Sequence, residues 1–114
     1  MKPMVCVIAM LIISPAGFAD PGLGTREVLL DNERVEVVRL TYPAGSESGM
    51  HSHDYSNRVA YIVKGGTLEL IPADGQESQV IQAADGDTAF LPAATHNVKN
   101  IGDTEIIIIE TELK

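Results

Sequence analysis

Cysteine is all but missing from this chain. The single thiol, Cys6, falls in an apolar stretch at the start, so nothing from Asp20 onward can form a disulfide, a CxxC redox pair or a cysteine nucleophile. A segment of 95 residues without cross-links must draw its stability from core packing, a bound metal or a partner subunit. Basic residues are also scarce. Eight Lys and Arg stand against sixteen Asp and Glu, and without Lys2 the balance is seven against sixteen, a net charge of −9. That sign excludes a phosphate backbone as a partner and argues against anionic membrane surfaces. The acidic balance reads as a solvated surface. There is no nucleophile elbow with Ser, His and Asp in order, and no glycine loop that would cradle a phosphate.

Long hydrophobic runs are confined to one place. Lys2 is followed by the apolar segment from Met4 to Ile13 and then by small residues at Gly17 and Ala19. This pattern predicts a secretory signal over residues 1–19, cleaved after Ala19, and a domain over 20–114 that is exported to the periplasm or beyond. A membrane anchor and a buried N-terminal helix are the alternatives. The run is short of the ~20 apolar residues that span a bilayer, so no membrane segment is expected after cleavage. Cys6 is poorly placed for lipid attachment, because Asp20 rather than a cysteine follows the small residues.

No stretch repeats its apolar residues at a helical period; what is present is a series of short strands between turns. Strands are expected over Arg26 to Leu30, Glu33 to Tyr42, Arg58 to Lys64, Thr67 to Ile71, Gln79 to Gln82, Thr88 to Leu91, His96 to Lys99 and Thr104 to Leu113. Gly65-Gly66 reads as the turn of a hairpin over 58–71, and Asp74-Gly75 as another tight turn. The four isoleucines from Ile106 to Ile109 favour a strand over a buried helix because they are β-branched. Seven or eight short strands in one small domain imply an all-β sandwich or barrel.

The three histidines of the chain fall in two segments, GMHSHDY and ATHNV. His51 and His53 have the spacing that puts two side chains on one face of a strand. With His96 brought back by the fold, they would cap a divalent metal with three nitrogens. Neutral imidazole suits Fe, Zn, Cu and Ni, whereas Ca and Mg prefer oxygen. Ordinary surface histidines are the competing reading.

The intervals around these residues resemble the two motifs of the cupin superfamily. Gly45 is followed after five residues by His51-x-His53, after four more by Arg58, and after six more by Gly65. This is similar to G(X)5HXH(X)3-4E(X)6G in all but the Glu. Gly86, Pro92, Ala94, His96 and Asn100 resemble G(X)5PXG(X)2H(X)3N, with Ala94 for Gly and one residue fewer before the histidine. The resemblance implies a double-stranded β-helix or jelly-roll barrel over 20–114, with His51, His53 and His96 as metal ligands. It also implies a homodimer.

Position 58 departs from the motif. A guanidinium cannot ligate a cation, and its charge beside a metal is costly unless an anion intervenes. Arg58 is expected to anchor a substrate carboxylate, to pair with an internal acid such as Glu47 or Glu69, or to face solvent. Tyr55, in the loop after His53, is a candidate lid or substrate contact. Met50 and Tyr61 are expected in the core by strand parity, and Asn100 as a turn cap.

Three-histidine sites without the carboxylate are known in the superfamily and resemble its iron dioxygenase sites. Iron is thus expected ahead of Zn, Mn, Ni or Cu. The implied function is a metal-dependent oxygenase, isomerase or lyase acting on a small anionic metabolite. The alternatives are a non-catalytic small-molecule or metal-binding protein that uses the same pocket, and a structural cupin whose metal stabilises the fold. Because imidazole ligates only when neutral, metal release is expected as pH falls below about 6.

Overall fold

The computed structural model describes residues 22–114, and the expected signal at 1–19 lies outside them. The described residues form nine strands and no helix: β1 (Thr25–Asp31), β2 (Val35–Tyr42), β3 (His51–Ser52), β4 (Asn57–Lys64), β5 (Gly66–Pro72), β6 (Gln79–Ala83), β7 (Thr88–Pro92), β8 (Thr95–Asn100) and β9 (Ile106–Leu113). They make two antiparallel sheets, in the orders β1-β2-β9-β4-β7 and β3-β8-β5-β6. Strands consecutive in sequence alternate between the sheets from β2 to β5 and again from β6 to β9, which is the winding of a double-stranded β-helix. The all-β jelly-roll expectation holds.

The strands follow the sequence pattern closely, with physical reasons where they differ. Asn32 ends the first turn early, because its Oδ1 accepts from the N–H groups of Arg34 and Val35, so β2 starts at Val35 rather than at Glu33. The last strand starts two residues later than expected, at Ile106. His51-Ser52 forms a strand of its own, too short to show in a pattern of β-branched residues.

The hairpin expected over 58–71 is not formed. β4 is paired on both sides, with β7 and β9, so it has no free edge for β5. The chain instead crosses from one sheet to the other at Gly65. A side chain there would begin 2.0 Å from the carbonyl oxygen of Ala83, so only glycine allows this approach. The crossing is tied to the turn at Gly86, whose φ is +87°: Gly65 N–H donates to Asp85 Oδ1 (2.7 Å) and Gly86 N–H to the Ile62 carbonyl (2.7 Å).

Along β9 the inward row runs Ile106, Ile108, Glu110, Glu112, and each of these is buried. Opposite it on β4 are Ile62, Ala60 and Arg58, in register with Ile108, Glu110 and Glu112. One end of the barrel is thus filled by aliphatic side chains, with Tyr42, Leu68 and Val98 closing the core. The other end collects the charged and imidazole groups. Asn100 is a turn cap, as expected: its Nδ2 donates to the carbonyls of Tyr42 (2.9 Å) and Thr104 (2.8 Å), and its Oδ1 accepts from Gly102 N–H (3.0 Å).

Two core assignments are corrected. Tyr61 does face away from Arg58, but that side of the sheet is not covered by another layer, and the residue is 47% exposed. Met50 precedes a strand of only two residues, too short to turn it into the barrel, and is 54% exposed.

Candidate metal centre

The fold brings the three histidines together by pairing short segments. β3 runs antiparallel to β8 with His51 opposite His96, and His53 is held just beyond, its backbone N–H donating to the Ala94 carbonyl at 2.9 Å. His51 Nε2 lies 3.0 Å from His53 Nε2, which lies 3.2 Å from His96 Nε2. The rings meet edge to face, with centroids 4.7 to 5.1 Å apart. The group could hold a metal ion.

The outer nitrogens decide what the inner ones can do. His51 Nδ1 is 2.9 Å from the Gly49 carbonyl oxygen, and His53 Nδ1 is 3.3 Å from Glu112 Oε2. A carbonyl and a carboxylate only accept, so each Nδ1 carries the proton. Both Nε2 atoms are then bare lone pairs facing each other across 3.0 Å. Burial pushes the pKa of His53 down to about 4, with Glu110 pulling the other way and Arg58 adding to the depression. It pushes His96 down to about 4 as well, assisted by the other two rings. At neutral pH the His53 and His96 rings are therefore uncharged, and the facing bare Nε2 atoms of His51 and His53 repel each other unless a cation sits between them.

Arg58 is 3% exposed, inside the barrel beside this group. Its Nη1 donates to Glu110 Oε2 at 2.9 Å and its Nη2 to the Pro92 carbonyl at 3.0 Å; Nε is buried without a partner. The guanidinium is therefore paired with an internal acid. That acid is Glu110 rather than Glu47, which accepts from Asn97 Nδ2 (2.7 Å), or Glu69, which accepts from Ser78 Oγ (2.8 Å). Tyr55 lies in the turn between β3 and β4, exposed, and lines none of the three cavities that meet the histidines.

Three further residues belong to the site and were not singled out in the sequence. Glu110 and Glu112 share the inward parity of Ile106 and Ile108, a signal that two carboxylates would be buried opposite Arg58. Tyr42 projects from the end of β2; burial, with the nearby Glu110 carboxylate, raises its phenol to about 12. It is a fixed neutral hydroxyl at physiological pH.

Among the described residues, three cavities meet the histidines. One is an open cleft between the β5–β6 turn and the Ala94–His96 segment, and the other two flank the triad. Of the flanking pair, one, of about 310 Å³, has the more polar wall and is lined by Arg26, Tyr42, His51, His53, Glu110 and Glu112 among others. The other, of about 330 Å³, lies between the sheets against His96 and is walled by aliphatic residues including Leu40, Leu68, Leu91 and Ile108. Volumes of this order suit small molecules. Arg26 in the first cavity is held by Glu36, Nη2 to Oε1 at 2.7 Å.

Comparison with known proteins places the chain. Residues 38–112 match the Cupin_2 family model, the cupin domain. The beta-alanine degradation protein BauB of Pseudomonas aeruginosa is 33% identical over 88 residues, which cover 76% of this chain and 90% of that one. A cupin domain from Bordetella pertussis, known from its crystal structure, superposes with a TM-score of 0.75 at 33% identity, covering 84% of this chain and 98% of that one. A double-stranded β-helix protein of Klebsiella pneumoniae shares the fold, with a TM-score of 0.67 at 22% identity, covering 83% and 80% of the two chains. The chain belongs to the cupin family.

Proposed function

We propose that the protein is an exported, homodimeric cupin that binds one divalent transition metal through His51, His53 and His96 and acts on a small anionic metabolite. The convergence of three Nε2 atoms, two of them stripped of protons by the acceptors behind them, carries the reading. Iron is the favoured metal. Nitrogens about 2.1 Å from an ion at right angles lie about 3.0 Å apart, and those of a tetrahedral zinc site lie about 3.4 Å apart. The separation of 3.0 Å matches the former, and that of 3.2 Å lies midway between the two. When bound, such a metal would supply open positions for a chelating ligand and for dioxygen, or act as a Lewis acid.

The protein's own groups set the charge. Arg58 cancels Glu110, Arg26 cancels Glu36, and Glu112 remains, so the site is one charge negative. A divalent cation reverses this to one positive, which a monoanionic ligand completes. On this account the ligand's negative end is recognised at the metal, and Arg58 is not its anchor. The aliphatic cavity beside His96 would exclude water from the rest of the ligand. BauB takes its name from the degradation of β-alanine, a small amino acid, in keeping with a ligand of this size that carries a carboxylate.

One observation favours a second reading, in which the site binds without catalysing. The carboxylates nearest the histidines are engaged with Arg58 and His53, and the Tyr42 phenol holds its proton up to about pH 12. No free general acid or base stands at the triad among the described residues. Protein purified anaerobically without chelator should contain one equivalent of metal, and His96→Ala should lose it. Iron together with oxygen uptake on adding small carboxylic acids would establish the first reading. Metal without turnover of any of them would establish the second. A folded protein that takes up no metal from excess Fe(II), Zn(II) or Co(II) would end both.

A further inference from the structure

The carboxylate that the cupin motif would place at position 58 has not vanished from this barrel. Arg58 and Glu112 are direct partners in the β4–β9 register, so the acid stands one strand over from the arginine that replaced it. Arg58 does not bond its register partner. It reaches diagonally to Glu110 at 2.9 Å, which leaves Glu112 without a cation among the described residues. Glu112 turns instead to His53, with Oε2 3.3 Å from Nδ1, while Glu110 Oε1 stays at 3.8 Å.

We infer that Glu112 is the positioning residue of the metal centre: it holds the His53 Nδ1 proton and thereby keeps Nε2 bare and aimed at the shared point of the triad. This rests on the metal reading proposed above. Glu112 cannot reach that point itself, because it meets the opposite nitrogen of the ring. A second cation between His53, Glu110 and Glu112 is disfavoured, since Arg58 already fills the charge requirement of Glu110 and the Nδ1 proton occupies the imidazole lone pair. The division of labour is then clear. Arg58 neutralises Glu110, and this spares Glu112 from competition for the imidazole. A carboxylate behind a ligating histidine fixes its tautomer and ring orientation and strengthens it as a donor, an effect of about 10–100-fold in metal affinity.

The test uses the full chain from residue 20, metal-free and then titrated with Zn(II) against a chromophoric chelator. In the metal-free wild type, nitrogen NMR of His53 should show the Nδ1–H tautomer. Glu112→Ala should shift the ring toward Nε2–H and weaken Zn(II) binding about 10–100-fold. Glu112→Gln, which keeps an acceptor oxygen but not the charge, should retain the tautomer and fall between the two in affinity. It also carries the test if the alanine variant fails to fold. Affinity within twofold of wild type in both variants overturns the inference even if stability falls. If the wild type binds no metal, the metal reading fails separately, and the tautomer in the metal-free pair still decides whether Glu112 governs His53.

Discussion

Arg58 shows how one residue can be placed by its type and yet explained only by its neighbours. Its position beside the histidines followed from glycine intervals, but its partner could not, because pairing is set by which strand lies alongside. Glu110 sits 52 residues away and meets Arg58 only through the β4–β9 register. A buried pair of this kind is costly to break from one side. Arg58→Met should destabilise the metal-free protein by about 3–5 kcal/mol, since it strands the Glu110 carboxylate in the barrel. Arg58→Met with Glu110→Met should recover most of that, leaving about 1 kcal/mol for the Pro92 carbonyl that loses its donor. Urea unfolding of the two variants and the wild type checks both figures. If the single variant were as stable as wild type, the pair would be solvated and the charge account of the site would fall with it.

The histidines carry a pH dependence with a definite sign. His53 and His96 have pKa values near 4 in the folded protein, below the ordinary value of about 6.5. Between those limits the unfolded chain takes up protons that the folded chain refuses. The metal-free protein should therefore hold full stability above about pH 6.5, lose it progressively as pH falls toward 4, and lose no more from these groups below that. Thermal melts from pH 4 to 8 would show it, and His96→Ala should flatten part of the slope. The same depression means protons compete poorly with a bound metal until the pH is well below 6. Release should thus begin lower than unperturbed imidazoles would allow.

Among the elements, the strands were legible because each is a short run bounded by turn residues. Their partners were not. The segment RVAYIVKGGTLELI has the appearance of a hairpin, and only the saturation of both β4 edges shows that Gly65 is a crossing between sheets. The same principle accounts for the IIIIETEL strand. Its run of isoleucines comes from an inward row continuing as Glu110 and Glu112 and an outward row of Ile107 and Ile109, so a single strand spans both core and site. Gly65→Ala tests the crossing. The added carbon would fall 2.0 Å from the Ala83 carbonyl oxygen, a backbone atom that cannot swing aside. A loss of about 3 kcal/mol is expected, at the upper end for overpacking, and is readable as a lower urea midpoint. Gly75→Ala, at a turn with open space around it, should lose less.

At the scale of the molecule, the outward face of the five-stranded sheet is the feature least explained by a single copy of the chain. Phe90 is 65% exposed there, with Tyr61, Val63 and Leu30 also open to solvent and Ile107 and Ile109 half-covered. Its charged side chains are matched locally: Arg39 bonds Glu27 at 2.7 Å, and Lys64 lies 3.9 Å from Glu105. For a domain of net charge −9, this neutral apolar face is where a second, equally acidic copy can approach without repulsion. It was hidden in the sequence because Tyr61 and Phe90 have the parity and composition of core residues, and parity does not say which face of a sheet is covered. Light scattering on the purified domain should give twice the monomer mass. Phe90→Glu, which places charge on the most exposed apolar side chain of that face, at its β7 edge, should give monomers that still bind metal, because His51, His53, His96 and Glu112 come from one chain. A wild-type protein that stays monomeric at tens of micromolar would remove the dimer from the proposal and leave the metal centre untouched.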